Sequence, residues 1–209
     1  MGGAAEEIET MPDRRALVTG ALAAGMFAAL PPAARAAAGQ ATATSAQPVP
    51  GLTIAPEFYP TVMRVKRSFV QGSIHVLSSQ HFLYFIDKPG WAVRYGVAVG
   101  KAELVYRGQA VVGRKVEWPS WKPTPEMIER NPAAYAKYAD GMPGGPNNPL
   151  GARALYLYQN GHDTAIRIHG TTEPNSIGRS VSNGCIRMVN SHVVDLYNRV
   201  ALGAPVTVY

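Results

Sequence analysis

The chain has 209 residues, of which 46% are hydrophobic and 16% are charged, with 21 glycines, 17 prolines and one cysteine. This length and hydrophobic content are enough for one domain with a sizeable core, and the many glycines and prolines favour a mainly β protein over a helical bundle. The net charge of +6 favours acidic surroundings. No basic run interleaved with aromatic residues is present, which argues against a nucleic-acid-binding protein.

Residues 1–36 have the pattern of an export signal. Arg14 and Arg15 precede an apolar run over residues 16–30, and small residues follow at 34–36. This order is typical of a secretory signal peptide, and the paired arginines resemble its twin-arginine type. The apolar run is shorter than the ~20 residues of a membrane span. We therefore expect an exported protein of the periplasm or cell envelope, with no stable membrane span in its mature form.

The next segment, residues 37–62, is rich in Ala, Thr and Pro and is predicted to be a flexible linker. The folded domain is predicted over residues 63–209. Short runs with alternating apolar residues predict a series of strands. These are residues 73–77, 81–87, 91–100, a pair within 102–118 that turns at Arg107-Gly108, 152–158, 164–170 and 205–209. Asn160-Gly161 predicts a hairpin between two of them.

Two helical segments interrupt the strands. Thr124 is a good cap for the first, and Pro132 must break or restart it. The second follows the cysteine, with Asn190 or Ser191 as its N-cap and Gly203 as its terminator. Trp118 and Trp121 precede the first helix. They are expected either to form the floor of a substrate groove or to pack in the core.

A thiol and an imidazole form the candidate catalytic pair. His169 ends a predicted strand, and Cys185 follows it after 16 residues, in the sequence VSNGCIRM. An imidazole within hydrogen-bond reach can accept the thiol proton and so activate the sulfur as a nucleophile. The alternative is that Cys185 is a small buried hydrophobic residue, which is the usual place of a free cysteine. The polar neighbours of Cys185 favour the nucleophile.

The residues around this pair fit the same chemistry. Gly184 permits a tight turn, in which the N–H groups of residues 183–185 are free to face a developing oxyanion. Arg179 and Arg187 are expected to favour the thiolate and to bind a substrate carboxylate. The carbonyl of Gly170 is a candidate for fixing the tautomer of His169.

A zinc site is the alternative use of the histidines. His162 lies in a predicted turn beside Asp163 and His169 ends the following strand, and no third ligand stands at metal spacing. We therefore predict no metal.

The stretch IHGTTEPNSIGRSVSNGCIRMVN, with NPLGARALYLY before it and DLYNRV after it, resembles the catalytic core of the L,D-transpeptidase family, also called YkuD or ErfK/YbiS. The signature of that family is His-Gly, a spacer, then Ser-His-Gly-Cys, an apolar residue and Arg. Asn183 stands where many members have the second histidine. The resemblance covers about residues 71–209 and implies a mainly β fold, a bent β-sandwich with a few short helices.

The resemblance also implies a reaction. Cys185 attacks the L,D-peptide bond of a peptidoglycan stem, D-alanine leaves, and an amine resolves the thioester, giving a 3–3 cross-link or an exchanged end. His169 moves the protons, Arg187 supports the loop or binds a carboxylate, and Ser182 and Asn183 shape the oxyanion site. The family uses no cofactor and is sensitive to carbapenems. We expect a monomer.

Two alternatives stay open at the level of sequence. One is a carboxypeptidase or endopeptidase that hydrolyses the same bonds. The other is a cell-wall-binding module without activity. The acceptor amine is equally open between a second stem, a lipoprotein lysine, glycine and a free D-amino acid.

Overall fold

The computed structural model describes residues 54–209. The predicted signal peptide at residues 1–36 and most of the predicted linker lie outside the described residues. Within the described part, a 3-10 helix at Pro56–Phe58 precedes the first strand, which begins at Thr61, two residues before the predicted start of the domain. Ile54 and Phe58 already pack against a buried cluster.

The described residues form eleven strands and three α-helices. The strands are β1 (Thr61–Arg64), β2 (Ile74–Leu77), β3 (Phe82–Lys88), β4 (Trp91–Gly96), β5 (Val99–Gly100), β6 (Gly108–Glu117), β7 (Arg153–Gln159), β8 (His162–His169), β9 (Ser180–Ser182), β10 (Ile186–Arg187) and β11 (Pro205–Val208). The α-helices are α1 (Pro125–Arg130), α2 (Pro132–Tyr135) and α3 (Asn190–Arg199). None of the helices within residues 54–209 is long and apolar enough to cross a membrane.

Nine strands form one mixed sheet in the order β1-β4-β3-β2-β11-β6-β7-β8-β10, and β5 pairs with β9 in a second, two-stranded sheet. Most neighbours are antiparallel, whereas β11 runs parallel to β2 and β10 runs parallel to β8. The Asn160-Gly161 hairpin between β7 and β8 is present, with positive φ at both residues. The prediction of a mainly β fold is confirmed.

The large sheet bends around α3. Tyr95 on β4 donates a 2.6 Å hydrogen bond to Asp195 of α3, while α3 also packs against β7. Five strand spacings separate β4 from β7 in the sheet order, or about 24 Å if the sheet were flat. A helix about 10 Å wide contacts both strands only if the sheet curves around it. Val193 and Leu196 on the inner face of α3 are fully buried in the resulting core.

Two strand predictions are wrong. The predicted strand 91–100 ends at Gly96, after which Ala98 bridges to Arg187 and β5 joins the second sheet. The predicted pair within 102–118 is instead a short 3-10 turn at Ala102–Leu104 followed by the single strand β6. Both errors have one cause, because local alternation shows that a segment is extended but not which strand it pairs with.

The predicted cap and break of the first helical segment are confirmed, whereas the predicted caps of the second are wrong. Thr124 caps α1 by accepting a hydrogen bond from the N–H of Met127, and Pro132 restarts the chain as α2. The predicted caps of α3 are wrong, since its N-cap is Val189 and its last residue is Arg199, four residues before Gly203.

A lysine from the sheet closes the C-terminal end of α3. Lys115 on β6 donates to the carbonyl oxygens of Tyr197 and Val200, at 2.7 and 2.6 Å. Its ammonium also lies 4.3 Å from the centre of the Tyr197 ring. A cation at this end satisfies terminal carbonyls and complements the helix dipole.

Replacement of Lys115 by Met is therefore expected to lower the free energy of unfolding by about 2 kcal/mol, because it leaves two carbonyl groups without their charged donor. Urea denaturation measures the difference. Lys101→Met, at an exposed lysine, is the matched control and should leave the midpoint unchanged. Equal midpoints for both variants would show that Lys115 does not hold the helix.

Candidate active site

The site lies where β10 pairs with β8 at the edge of the large sheet. The two strands are parallel, with Arg187 opposite His169 and Ile186 opposite Ile168. In this register Cys185, just before β10, stands beside Arg167, two residues before His169 on the neighbouring strand. Side chains two residues apart share a face of the sheet. The pairing therefore puts the thiol and the imidazole on the same face, about one strand spacing apart across the sheet and two residues apart along it.

Both side chains line a cavity of about 520 Å³. The sheet supplies one wall, and the segment with α1 and α2 supplies the opposite one. The titratable residues of the lining are Glu126, Arg130, Tyr135, Tyr138, His169, Glu173, Cys185 and Arg187, and its other polar residues are Thr124, Asn147, Thr171, Thr172, Ser182 and Asn183. Trp121 also lines this cavity, whereas Trp118 is half-exposed and does not.

The His169 ring is held in one tautomer. Its Nδ1 lies 2.6 Å from the carbonyl oxygen of Gly170, and a carbonyl only accepts, so Nδ1 carries the proton. This leaves Nε2 as a proton acceptor. The pKa of His169 is lowered to about 4, mainly by burial and to a smaller extent by the charges of Arg187 and Arg167, while hydrogen bonds to backbone carbonyls oppose the lowering. The imidazole is therefore neutral near pH 7.

The Cys185 sulfur has two backbone partners on β8. Sγ lies 3.8 Å from the carbonyl oxygen of Ala165, to which the thiol donates. The backbone N–H of Arg167 faces the sulfur from the same strand and lowers the pKa of the thiol, as do the charges of Arg167 and Arg187. Burial is the largest effect and raises that pKa, so Cys185 is a neutral thiol at rest.

A bulge in β8 creates this arrangement. The register of β7 and β8 shifts between Tyr156 and Tyr158, and Ala165 has a φ of 59°. The N–H of Ala165 binds the side chain of Asp163 at 2.8 Å, and Thr164 Oγ1 donates to Leu157 O at 2.7 Å. A left-handed alanine costs about 1–2 kcal/mol, which these hydrogen bonds offset. The bulge turns the Ala165 carbonyl towards the thiol.

The loop before the cysteine is closed by a serine. Ser182 Oγ donates to the carbonyl oxygen of Cys185 at 2.6 Å and accepts from the N–H of Gly184 at 3.1 Å. The prediction that the Gly184 N–H is free is therefore wrong. Gly184 has a φ of 120°, and a Cβ there would lie 3.0 Å from the Leu104 carbonyl oxygen, so this turn requires glycine.

An amide clamps the backbone behind His169. Asn190 Oδ1 accepts from the N–H groups of Ala152 and Thr171, and its Nδ2 donates to the Thr171 carbonyl. The side chain is thus unable to cap α3, which explains that wrong prediction. A Cβ on Gly170 would fall 2.1 Å from Asn190 Oδ1, so only glycine fits beside the clamp.

Asn183, where a histidine was expected, connects the cysteine loop to the helical wall. Its Oδ1 accepts from Arg130 of α1 at 3.1 Å, and its Nδ2 donates to the hydroxyl of Tyr135 of α2 at 3.2 Å. All residues of α1 and α2 are exposed or only partly buried. With so little burial, polar contacts such as these carry much of the attachment of the helices.

The structure separates the two predicted arginines. Arg187 lines the cavity and forms a 2.7 Å ion pair with Glu173. Arg179 is exposed and lies outside the cavity lining, and its backbone pairs with Val99 of β5 and with Ser176. Only Arg187 is therefore placed to act on the thiol.

The alternative zinc site is excluded by the spacing of its ligands. His162 and His169 occupy the two ends of β8, seven residues and about 23 Å apart. Among residues 54–209, no three His, Cys, Asp or Glu side chains are grouped as metal ligands are.

Several residues of the site were not predicted from the sequence. Arg167, Asn190, Arg130 and Tyr135 act through contacts between segments far apart in the chain. Of these residues, only Asn190 stands in a recognisable local pattern, and a role as helix N-cap explained that pattern equally well. The others carry no signature that a single sequence displays.

Comparison with known proteins places this geometry in a family. The model of the YkuD family, described as the L,D-transpeptidase catalytic domain, matches residues 71–208. The chain belongs to this family. It is 33% identical over 144 residues to an Escherichia coli protein named as the L,D-transpeptidase ErfK/SrfK, covering 66% of this chain and 44% of that one. The chain spans about half the length of the curated relatives it matches.

Two solved structures share the fold. A Brucella melitensis structure named as a carnitine operon oxidoreductase, caia, is 50% identical, with a TM-score of 0.52 and coverage of 72% of this chain and 93% of that one. The C442S mutant of the Enterococcus faecium L,D-transpeptidase is 19% identical, with a TM-score of 0.51 and coverage of 68% and 50%. At that identity the second likeness supports the fold alone. The predicted fold family is confirmed.

The neutral state of the thiol predicts how Cys185 reacts with pH. Alkylation by iodoacetamide should be slow at pH 7 and accelerate with an apparent pKa above the ~8.5 of a free cysteine, because burial raises the thiol pKa. Cys185 is the only cysteine, so the adduct is unambiguous. Arg187→Met removes a charge that lowers this pKa and should move the profile higher. A rate independent of pH between about pH 5 and pH 8 would instead reveal a preformed thiolate–imidazolium pair.

Proposed function

We propose that this protein is a cysteine-dependent L,D-transpeptidase that acts on peptidoglycan peptide stems. One observation carries the proposal: Cys185 and the unprotonated Nε2 of His169 belong to adjacent parallel strands and line the same cavity. In this proposal the protein is an exported, periplasmic monomer that needs no cofactor or metal.

Acylation begins with both groups neutral. The thiol proton passes to His169 Nε2 as Sγ attacks the carbonyl carbon between the third stem residue and the terminal D-alanine. For this step the thiol leaves its hydrogen bond to Ala165 O and turns to the imidazole. Transfer to a neutral base avoids a long-lived ion pair in a buried site. The Arg167 backbone N–H and the charges of Arg167 and Arg187 support the sulfur as it becomes negative.

The tetrahedral oxyanion needs hydrogen-bond donors at the cysteine loop. The N–H of Gly184 is taken by Ser182, which leaves the N–H groups of Asn183 and Cys185 for this purpose. Ser182 acts indirectly, because its two hydrogen bonds fix the loop that presents them. Preorganised donors of this kind stabilise the transition state more than the substrate.

The intermediate collapses when His169 gives its proton to the leaving nitrogen. D-Alanine departs, and Cys185 holds the stem as a thioester. His169 then removes a proton from an acceptor amine, which attacks the thioester carbonyl, and the thiol recovers its proton as it leaves. A stem amine as acceptor gives a 3–3 cross-link, and another amine gives an exchanged end. Water as acceptor makes the enzyme a carboxypeptidase or endopeptidase.

The oxidoreductase activity for which the Brucella protein is named is not carried over to this chain. No two glycines stand two positions apart anywhere in the sequence, so the G-x-G-x-x-G dinucleotide fingerprint is absent. The site instead offers a thiol, an imidazole and backbone donors, which are the groups that acyl transfer to a cysteine nucleophile requires.

The nucleophile is tested by acylation with a carbapenem. The purified protein should gain the mass of one intact carbapenem, and Cys185→Ala should gain none. His169→Gln should acylate at least about 100-fold more slowly, because it lacks the base. His162→Gln, on the exposed end of the same strand, is the control and should match the unaltered protein. An adduct that persists in Cys185→Ala would refute the proposal, as would full-rate acylation of His169→Gln.

The outcome of the reaction is read from purified sacculi. Chromatography with mass spectrometry should find 3–3 dimers and released D-alanine, both dependent on Cys185. Tripeptide stems without dimers would assign hydrolysis in place of transfer. The absence of both a carbapenem adduct and any change in the sacculi would favour the wall-binding module without activity.

A further inference from the structure

The cavity holds one guanidinium without a carboxylate partner. Two arginines line it, and Arg187 already has a carboxylate partner in its ion pair with Glu173. Arg130 instead donates to the neutral amide oxygen of Asn183, and in residues 54–209 no carboxylate oxygen lies within 4.0 Å of its side-chain nitrogens. A fixed cation in a substrate cavity is a receptor for an anionic group.

Glu126, on the same helix as Arg130, forms its main hydrogen bond with Thr124 and not with Arg130. Glu126 lies one turn before Arg130 on α1, but its carboxylate engages Thr124 at the helix start, and this hydrogen bond is the main reason that its pKa is lowered. The charge of Arg130 also lowers this pKa, but it is the smallest of the causes, and no Glu126 oxygen lies within 4.0 Å of an Arg130 nitrogen. Glu126 therefore shares the cavity with Arg130 without forming an ion pair with it.

Asn183 fixes the position of this receptor. An amide accepts from Arg130 and donates to Tyr135 at the same time, and it does so without a charge of its own. The guanidinium is thus held beside the cysteine loop and keeps its full positive charge. An acid at position 183 would keep the hydrogen bond but neutralise the cation.

Arg130 contacts the same loop that carries the nucleophile, at a residue two positions before Cys185. Asn183 precedes Cys185 by two residues, so their Cα atoms lie at most about 7 Å apart. In a stem that ends in D-alanine, the free carboxylate is one residue, about 3.6 Å, beyond the carbonyl that Sγ attacks. A carboxylate bound by Arg130 would therefore lie at the cysteine loop, and the carbonyl to be attacked would lie one residue further along the stem, towards Sγ.

We propose that Arg130, positioned by Asn183, binds the free terminal carboxylate of the donor stem and so selects stems that end at the residue to be released. This inference rests on the proposed function, because it assigns the substrate group that the same cavity recognises. Recognition of a chain end makes the enzyme act on terminal residues, and a stem extended by a further residue would present an uncharged amide at this place.

Binding measured without turnover tests the inference. In the Cys185→Ala background, calorimetry compares a stem tetrapeptide that ends in D-alanine with the same peptide as its C-terminal amide. The acid should bind about fivefold more tightly at low salt, the size expected for an exposed ion pair, and the ratio should shrink as salt is added. Arg130→Ala should bring the ratio to about one, and Arg130→Lys should keep part of it.

Variants at Asn183 separate positioning from charge. Asn183→Asp should abolish the preference by neutralising Arg130, while Asn183→Ala should weaken it. Arg67→Ala removes the same charge from an exposed site beside Gly90, at the opposite edge of the sheet, and should leave the ratio unchanged. Arg130 is exposed on a helix without buried residues, so its variants should keep the global unfolding temperature of the parent protein. Arg130→Gln keeps a donor for Asn183 but lacks the charge, and it should lose the preference as Arg130→Ala does, which separates the charge from the attachment of α1.

Equal binding of acid and amide to the parent protein would overturn the inference, as would a ratio that survives Arg130→Ala, or binding of neither peptide. These results are independent of the nucleophile, which carbapenem acylation reports. An enzyme that acylates through Cys185 but ignores the terminal carboxylate would keep the proposed function and lose this inference.

Discussion

The parallel pairing of β10 with β8 is the constraint on which the site depends. It is only two residues long, yet it sets Arg187 opposite His169 and brings the preceding Cys185 alongside the same strand. The backbone N–H of Met188 bonds to the carbonyl oxygen of His169 at 2.8 Å and extends the pairing. Helix α3 follows directly and buries Val193 and Leu196 in the main core, so the short strand is anchored by a large apolar surface.

Burial gives this site its chemical character. The same low-polarity surroundings lower the pKa of His169 to about 4 and raise that of the Cys185 thiol, so both groups rest in their neutral forms. A neutral imidazole with a free Nε2 is a competent base, and a neutral thiol resists oxidation and adventitious reaction. The charges of Arg167 and Arg187 favour the sulfur anion as it forms. In the proposed reaction the site would therefore stabilise negative charge as it forms on the sulfur and not in the resting state.

Short sequence patterns were enough to predict those features that depend on a short stretch of chain. The Asn160-Gly161 hairpin, the Thr124 cap and the thiol–imidazole motif each lie within a short stretch of chain, and each was visible in the sequence. The contacts that were not predicted join distant segments: Asn190 clamps Thr171 and Ala152, and Asn183 holds Arg130, 53 residues away. The carboxylate partner of Arg187, Glu173, also belongs to another segment. Such contacts follow from strand order and the bend of the sheet, which a single sequence does not encode in any short motif.

The tautomer and charge of His169 matter most, because the proposed reaction needs an unprotonated Nε2 to accept the thiol proton. Nitrogen-15 NMR of the histidine rings in the full-length protein measures both directly. We predict a proton on Nδ1, an unprotonated Nε2 at pH 7, and no protonation of the ring down to about pH 5, since the pKa lies near 4. An Nε2–H tautomer, or an imidazolium at neutral pH, would contradict it.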